Sequence, residues 1–179
     1  MGKALIKGTI FGGIILYAWM AISWMLIPWH CATLKNFKDE NSVAAIVSAN
    51  VTEQGIYVLP YLCGGGQNDA KQGPHMFASI RPQGVDFTSP KPYINAIIIY
   101  LVAAFFVTYL LLQARPTTYW KRVWFVTVFG IAAGILGSFP NWNWWGFSCD
   151  FTLVGFIDYV IALFLAGLAI AAVVPNRTE

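Results

Sequence analysis

Between Ile94 and Gln113 the chain reads INAIIIYLVAAFFVTYLLLQ, 20 residues without a formal charge. As an α-helix rising 1.5 Å per residue, such a block is about 30 Å long, the thickness of a bilayer's hydrocarbon core. A helix of a soluble domain must keep one face for water, and this block has no charged face to offer. In lipid every backbone polar group must be satisfied internally, so a helix is the form it can take there.

Three further blocks share this character: Gly8 to Pro28, Val123 to Phe139, and Phe151 to Val174. Hydrophobic residues make up 58% of the chain and charged ones 11%, and most charges lie between the blocks. Lys3 and Lys7 ahead of the first block raise the alternative of a secretory signal. The block is longer than a signal's apolar region and ends in Leu-Ile-Pro-Trp-His without a small-residue cleavage pattern, so it reads as a retained span. Pro140 and Pro175 are expected to close the third and fourth spans, since a missing backbone N–H is tolerated best at a helix boundary. The expected fold is all-α: a four-helix transmembrane bundle, with a small α+β extracytoplasmic domain over residues 29–93, between the first two spans.

Orientation follows from the basic residues. With the N-terminus inside, Lys3, Lys7, Arg115, Lys121, Arg122 and Arg177 are cytoplasmic, while the short connection Asn141–Asp150 lacks Lys and Arg and lies outside. The long loop carries Lys35, Lys38, Lys71, Arg81 and Lys91, but long loops escape much of this rule. Both chain ends are therefore expected in the cytoplasm, with the plasma (inner) membrane as host. The basic cluster at Arg115, Lys121 and Arg122 is a topology signal. No basic, aromatic-studded face exists for a nucleic acid, which is excluded as a partner.

In the long loop, Asp39-Glu-Asn-Ser followed by Val-Ala-Ala-Ile-Val predicts a capped helix, with Gly55 as its stop. Ile56–Leu62 and Met76–Ile80 predict a hairpin around the turn Gly64–Asp69. The triple glycine of that turn lacks the Lys-Ser/Thr of a phosphate loop, so a nucleotide site is set aside. Of the two glycosylation patterns, at Asn50 and Asn176, the second would be cytoplasmic.

Cys31, Cys63 and Cys149, with His30 and His75, all fall on the outer side. Outer faces preserve disulfides, and Cys31–Cys149 or Cys31–Cys63 pairing is the plainer expectation. A copper or zinc site from His30, Cys31, Cys63, His75 and Cys149 is the competing one, weakened by the absence of a fixed ligand spacing. The sequence names no cofactor. Asp158 stands about two turns inside its span, where a charge costs at least about 2.5 kcal/mol and must face protein or a wet cavity. A Tyr, Trp, Ser or Asn of a neighbouring span, such as Tyr17, Ser23 or Tyr100, could hold it as a structural residue; alternatively it orients a ligand or relays a proton.

Asn141-Trp142-Asn143-Trp144-Trp145 reads as a turn between spans, an aromatic belt or the wall of a pocket for a lipid headgroup or quinone. The pairs Gly8/Gly12 and Gly130/Gly134, with Gly137, strip helix faces for close packing, either within this chain or against another subunit. No catalytic constellation is present. The first functional expectation is thus a non-catalytic subunit, or an assembly and stabilising factor, of a larger membrane complex, with lipids and other membrane subunits as partners. The second is a lipid or quinone binder using Asp158 and the tryptophan turn; the third is a redox or metal-handling protein on the outer face.

Overall fold

The computed structural model describes residues 2–61, 63 and 73–175. Its elements, in chain order, are α1 (Gly2–Met25), α2 (Trp29–Thr33), α3 (Glu40–Asn50), β1 (Gly55–Leu59), β2 (Met76–Ile80), α4 (Lys91–Ala114), α5 (Tyr119–Trp145) and α6 (Cys149–Val173). Helices α1, α4, α5 and α6 are each long and apolar enough to cross a membrane. Much of their apolar surface has no protein over it: Leu136 is 76% exposed and Ile99 62%. In water such surface would be a liability, whereas lipid is its natural solvent. The chain has the architecture of an integral membrane protein.

Residues 1–34 and 89–179 form one unit and residues 35–88 another. In the first, α1 packs against α4 and α6, and α5 packs against α6. The tight approaches run antiparallel and use glycine. Gly130 backs onto the Tyr159 carbonyl, where an added Cβ would lie 2.7 Å from the oxygen, and Gly134 lies against Phe156. Gly8 faces Thr108, and Gly12 faces Ile170 and Ala104. These close neighbours are all within the chain. Ala104, Leu111, Val126, Ala166 and Ile170 form the middle of the core, each at most 1% exposed. Without a hydrophobic driving force in lipid, such close backbone approach and side-chain packing hold helices together.

The helix ends are specified locally. Thr118 caps α5 and Ser148 caps α6, each side chain accepting a backbone N–H from three residues on. Gly146 ends α5 with φ +71°, a conformation that glycine adopts at no steric cost. At the other end of the pair, Arg122 lies inside the first turn of α5 and is only 4% exposed. Its Nη1 donates to the Val174 carbonyl at 2.6 Å and its Nε to the Pro116 carbonyl at 3.2 Å. Arg122 therefore caps the carbonyl end of α6, where the helix dipole favours a cation.

Two boundaries differ from the sequence expectation. Pro140 does not close the third span: α5 runs through it to Trp145. The proline costs the hydrogen bond to the Leu136 carbonyl, a loss that the last turns of a helix absorb more readily than its middle. The stretch Asn141–Trp145 is accordingly the end of a helix rather than a turn. Likewise Gly55 does not end α3, which stops at Asn50; it opens β1 instead.

In the second unit, Asp39 caps α3, its carboxylate accepting from the Ser42 N–H at 3.0 Å and the Ser42 hydroxyl at 2.5 Å. Those donors hold the Asp39 carboxyl below its ordinary value. Strands β1 and β2 pair antiparallel from Gly55↔Ile80 to Leu59↔Met76. The expected turn at Gly64–Asp69 lies outside the described residues.

Candidate functional site

The polar centre of the helical unit is built by a reversal of the chain. Trp19 and Ser23 are four residues apart on α1 and so share one face. The helix ends at Met25, and Pro28 then starts the short helix α2, in which His30 falls in the first turn. The reversal lays the His30 ring on Trp24, with centroids 3.8 Å apart and planes 11° from parallel. His30 is 4% exposed, and Asp158 of α6 is 2% exposed.

These residues close one hydrogen-bonded network. Asp158 Oδ1 accepts from Ser23 Oγ at 2.7 Å and from Trp19 Nε1 at 3.1 Å. Asp158 Oδ2 lies 2.7 Å from His30 Nε2. Ser23 Oγ in turn accepts from Trp29 Nε1 at 2.9 Å and stands 3.0 Å from His30 Nε2. An ionised carboxylate can only accept, so with Asp158 in that form the contact requires a hydrogen on Nε2. The serine agrees: its one hydrogen goes to Asp158, so its oxygen can approach Nε2 only if Nε2 bears the proton. Three donors thus surround a carboxylate in a span without any Lys or Arg beside it, which is how a buried acid is made tolerable.

This arrangement leaves the second ring nitrogen, His30 Nδ1, with no hydrogen-bond partner among the described residues. His30 and Asp158 line a cavity of about 200 Å³ between α1, α2, α5 and α6. Trp24, Phe147, Phe151 and Tyr159 give it aromatic walls, while Asn141, Ser138 and Thr152 add polar groups. No Lys or Arg lines it.

Of the sequence candidates for a ligand site, Asp158 and Asn141 line this cavity, and Trp142, Asn143, Trp144 and Trp145 are not in its wall. Trp142 and Trp144 are 48% and 76% exposed, on the outside of the helix end. Among the three residues expected to hold Asp158, Ser23 does so; Tyr17 and Tyr100 instead pack edge to face, 6.3 Å apart. Trp19 answers to the expected Trp of a neighbouring span, and His30 was missed as a partner. The signal for His30 was Pro28 just before it, which forces a turn back toward the helix that holds Ser23.

The cysteines stand as free, exposed thiols, with Cys31 and Cys149 in the helical unit and Cys63 in the other. Cys31 and Cys149, the pair expected within the helical unit, are not bridged. Among the described residues no group of three His, Cys, Asp or Glu is placed to hold a metal, and His30 is engaged by Asp158 rather than by a cysteine. His75 belongs to the second unit, next to β2. Comparison with family models, characterised proteins and solved structures finds no match to this chain.

Proposed function

We propose that the protein binds the polar head of a small amphipathic molecule dissolved in the membrane, a quinone-like ring or a lipid headgroup. The observation that carries this reading is the cavity on which the Trp19–Ser23–His30–Asp158 network borders. A fold gains little from a buried acid and a buried histidine, since replacing such pairs by apolar residues is often neutral or stabilising. Placed in the wall of a cavity, the same pair offers a fixed hydrogen-bonding group to a ligand. At about 200 Å³ the cavity is smaller than the roughly 300–1,000 Å³ of sites that enclose a whole drug-sized ligand. A headgroup fits that volume, with its tail left in the lipid. The four helices then form a bundle through the plasma membrane, with both chain ends cytoplasmic and the cavity near the outer surface.

Native mass spectrometry of protein released from its own membranes in mild detergent tests this. A ligand of fixed mass is expected with the unaltered protein and is lost in Gly155→Val, because a side chain there enters the cavity beside Ser138. Asp158→Ala should lose it as well. Unchanged occupancy in both variants contradicts the site. A constant protein partner with no small ligand would favour the other reading, a non-catalytic subunit or assembly factor of a membrane complex.

A further inference from the structure

Resting on that reading, we infer that the cavity selects an uncharged ring bearing a hydroxyl group, a phenol or quinol, whose O–H donates to His30 Nδ1. The selection begins with Asp158. Its two oxygens receive three donors from Trp19, Ser23 and His30, so the acid is spent inside the protein and is not offered to the ligand. What it does is set the tautomer of His30. With the hydrogen on Nε2, the neutral imidazole carries its lone pair on Nδ1. That nitrogen has no partner among the described residues, on a side chain 4% exposed that borders the cavity. An acceptor without a protein partner, on a side chain that lines a cavity, is open to a donor from a ligand.

The rest of the wall narrows the ligand class. A phosphate or carboxylate headgroup would find no cation in the wall and would sit beside the Asp158 carboxylate. The aromatic faces of Trp24, Phe147, Phe151 and Tyr159 suit a flat ring, and the volume admits about one substituted six-membered ring. Tautomer, lining and size point to the same ligand class. A methyl ether of the same ring would keep the shape and lose the donor, leaving Nδ1 unpaired.

The experiment uses the full chain in lipid nanodiscs, titrated with 4-octylphenol and separately with its methyl ether, 4-octylanisole, followed by tryptophan fluorescence. The phenol is expected to bind about tenfold more tightly, the value of one ordinary hydrogen bond. In His30→Phe, which keeps a ring on Trp24, the gap should close. Equal affinities in the unaltered protein, or a gap that persists in His30→Phe, overturn the assignment to His30 and leave the cavity reading standing. Saturable binding of neither compound removes both. Should His30→Phe fail to fold, a series of phenols of rising acidity, all un-ionised at the pH used, decides on the unaltered protein. An accepting Nδ1 requires affinity to rise along the series, and a flat or falling trend contradicts it.

Discussion

At the scale of single residues, the polar centre depends on which hydrogen each group holds. Asp158→Ala removes the acceptor of three donors at once, two of them buried, and breaking one side of a buried pair typically costs about 3–5 kcal/mol. Its melting temperature in detergent should fall well below that of Ser23→Ala, which removes one donor to Asp158 and the acceptor for Trp29 and should cost about 1–3 kcal/mol. A Ser23→Ala loss equal to or larger than that of Asp158→Ala would contradict the network as drawn. Asp39 gives a pH prediction. The Ser42 donors lower its carboxyl from the ordinary 3.8, so the cap's contribution is present above that value and is lost as pH falls through the lower folded one. Amides of α3 should lose exchange protection only in that acid range, and Asp39→Asn, which does not titrate, should remove the acid step. Asp158 itself was legible in the sequence as a residue needing partners. The identity of those partners was not, because Trp19, Ser23 and His30 meet it through a chain reversal and a helix contact, which no local pattern encodes.

At the scale of elements, the glycines separate close packing from open space. Gly130→Ala would push a methyl group into the Tyr159 carbonyl and the Leu163 Cβ, 2.7 and 2.9 Å from the added atom, and should cost about 1–3 kcal/mol. Gly155→Ala meets only the Ser138 hydroxyl at 3.3 Å and should melt close to the unaltered protein. If both variants melt alike, the close α5–α6 approach at Gly130 is contradicted. Arg122→Met tests the other end of that pair: losing the bonds to Val174 and Pro116 leaves α6 carbonyls without their cation and should cost about 1–3 kcal/mol. The spans themselves were readable, because lipid demands unbroken apolar stretches of known length. Their ends were less so. Pro140 looked like a stop and is not, since a proline near a helix end removes one hydrogen bond without breaking the rest. Arg122 looked like a loop charge and lies in a helix, because its cationic head is consumed by the nearby Pro116 carbonyl and by the Val174 carbonyl that the packed neighbour supplies.

At the scale of the whole molecule, the antiparallel packing brings the first turns of α1 and α5 to the same end as the last turns of α4 and α6. Cys31 and Cys149 lie toward the opposite end, both exposed. In the proposed orientation a membrane-impermeant maleimide added to intact cells should label them, and a cysteine placed at Thr117 should react only after the membrane is opened. The reverse pattern would invert the orientation and leave the helical packing untouched. The outline of four apolar helices could be read from residue order alone; the cavity could not, since its walls come from α1, α2, α5 and α6 together. The claim on which the functional reading depends is that Asp158 fixes the proton of His30 on Nε2 and leaves Nδ1 bare at the cavity. The chain has two histidines, so His75→Gln leaves one imidazole to observe by 15N NMR in nanodiscs. A protonated, hydrogen-bonded Nε2 and an unprotonated Nδ1 whose resonance shifts when 4-octylphenol is added are expected; a proton on Nδ1 with a bare Nε2, or an Nδ1 resonance that does not respond, would contradict that claim.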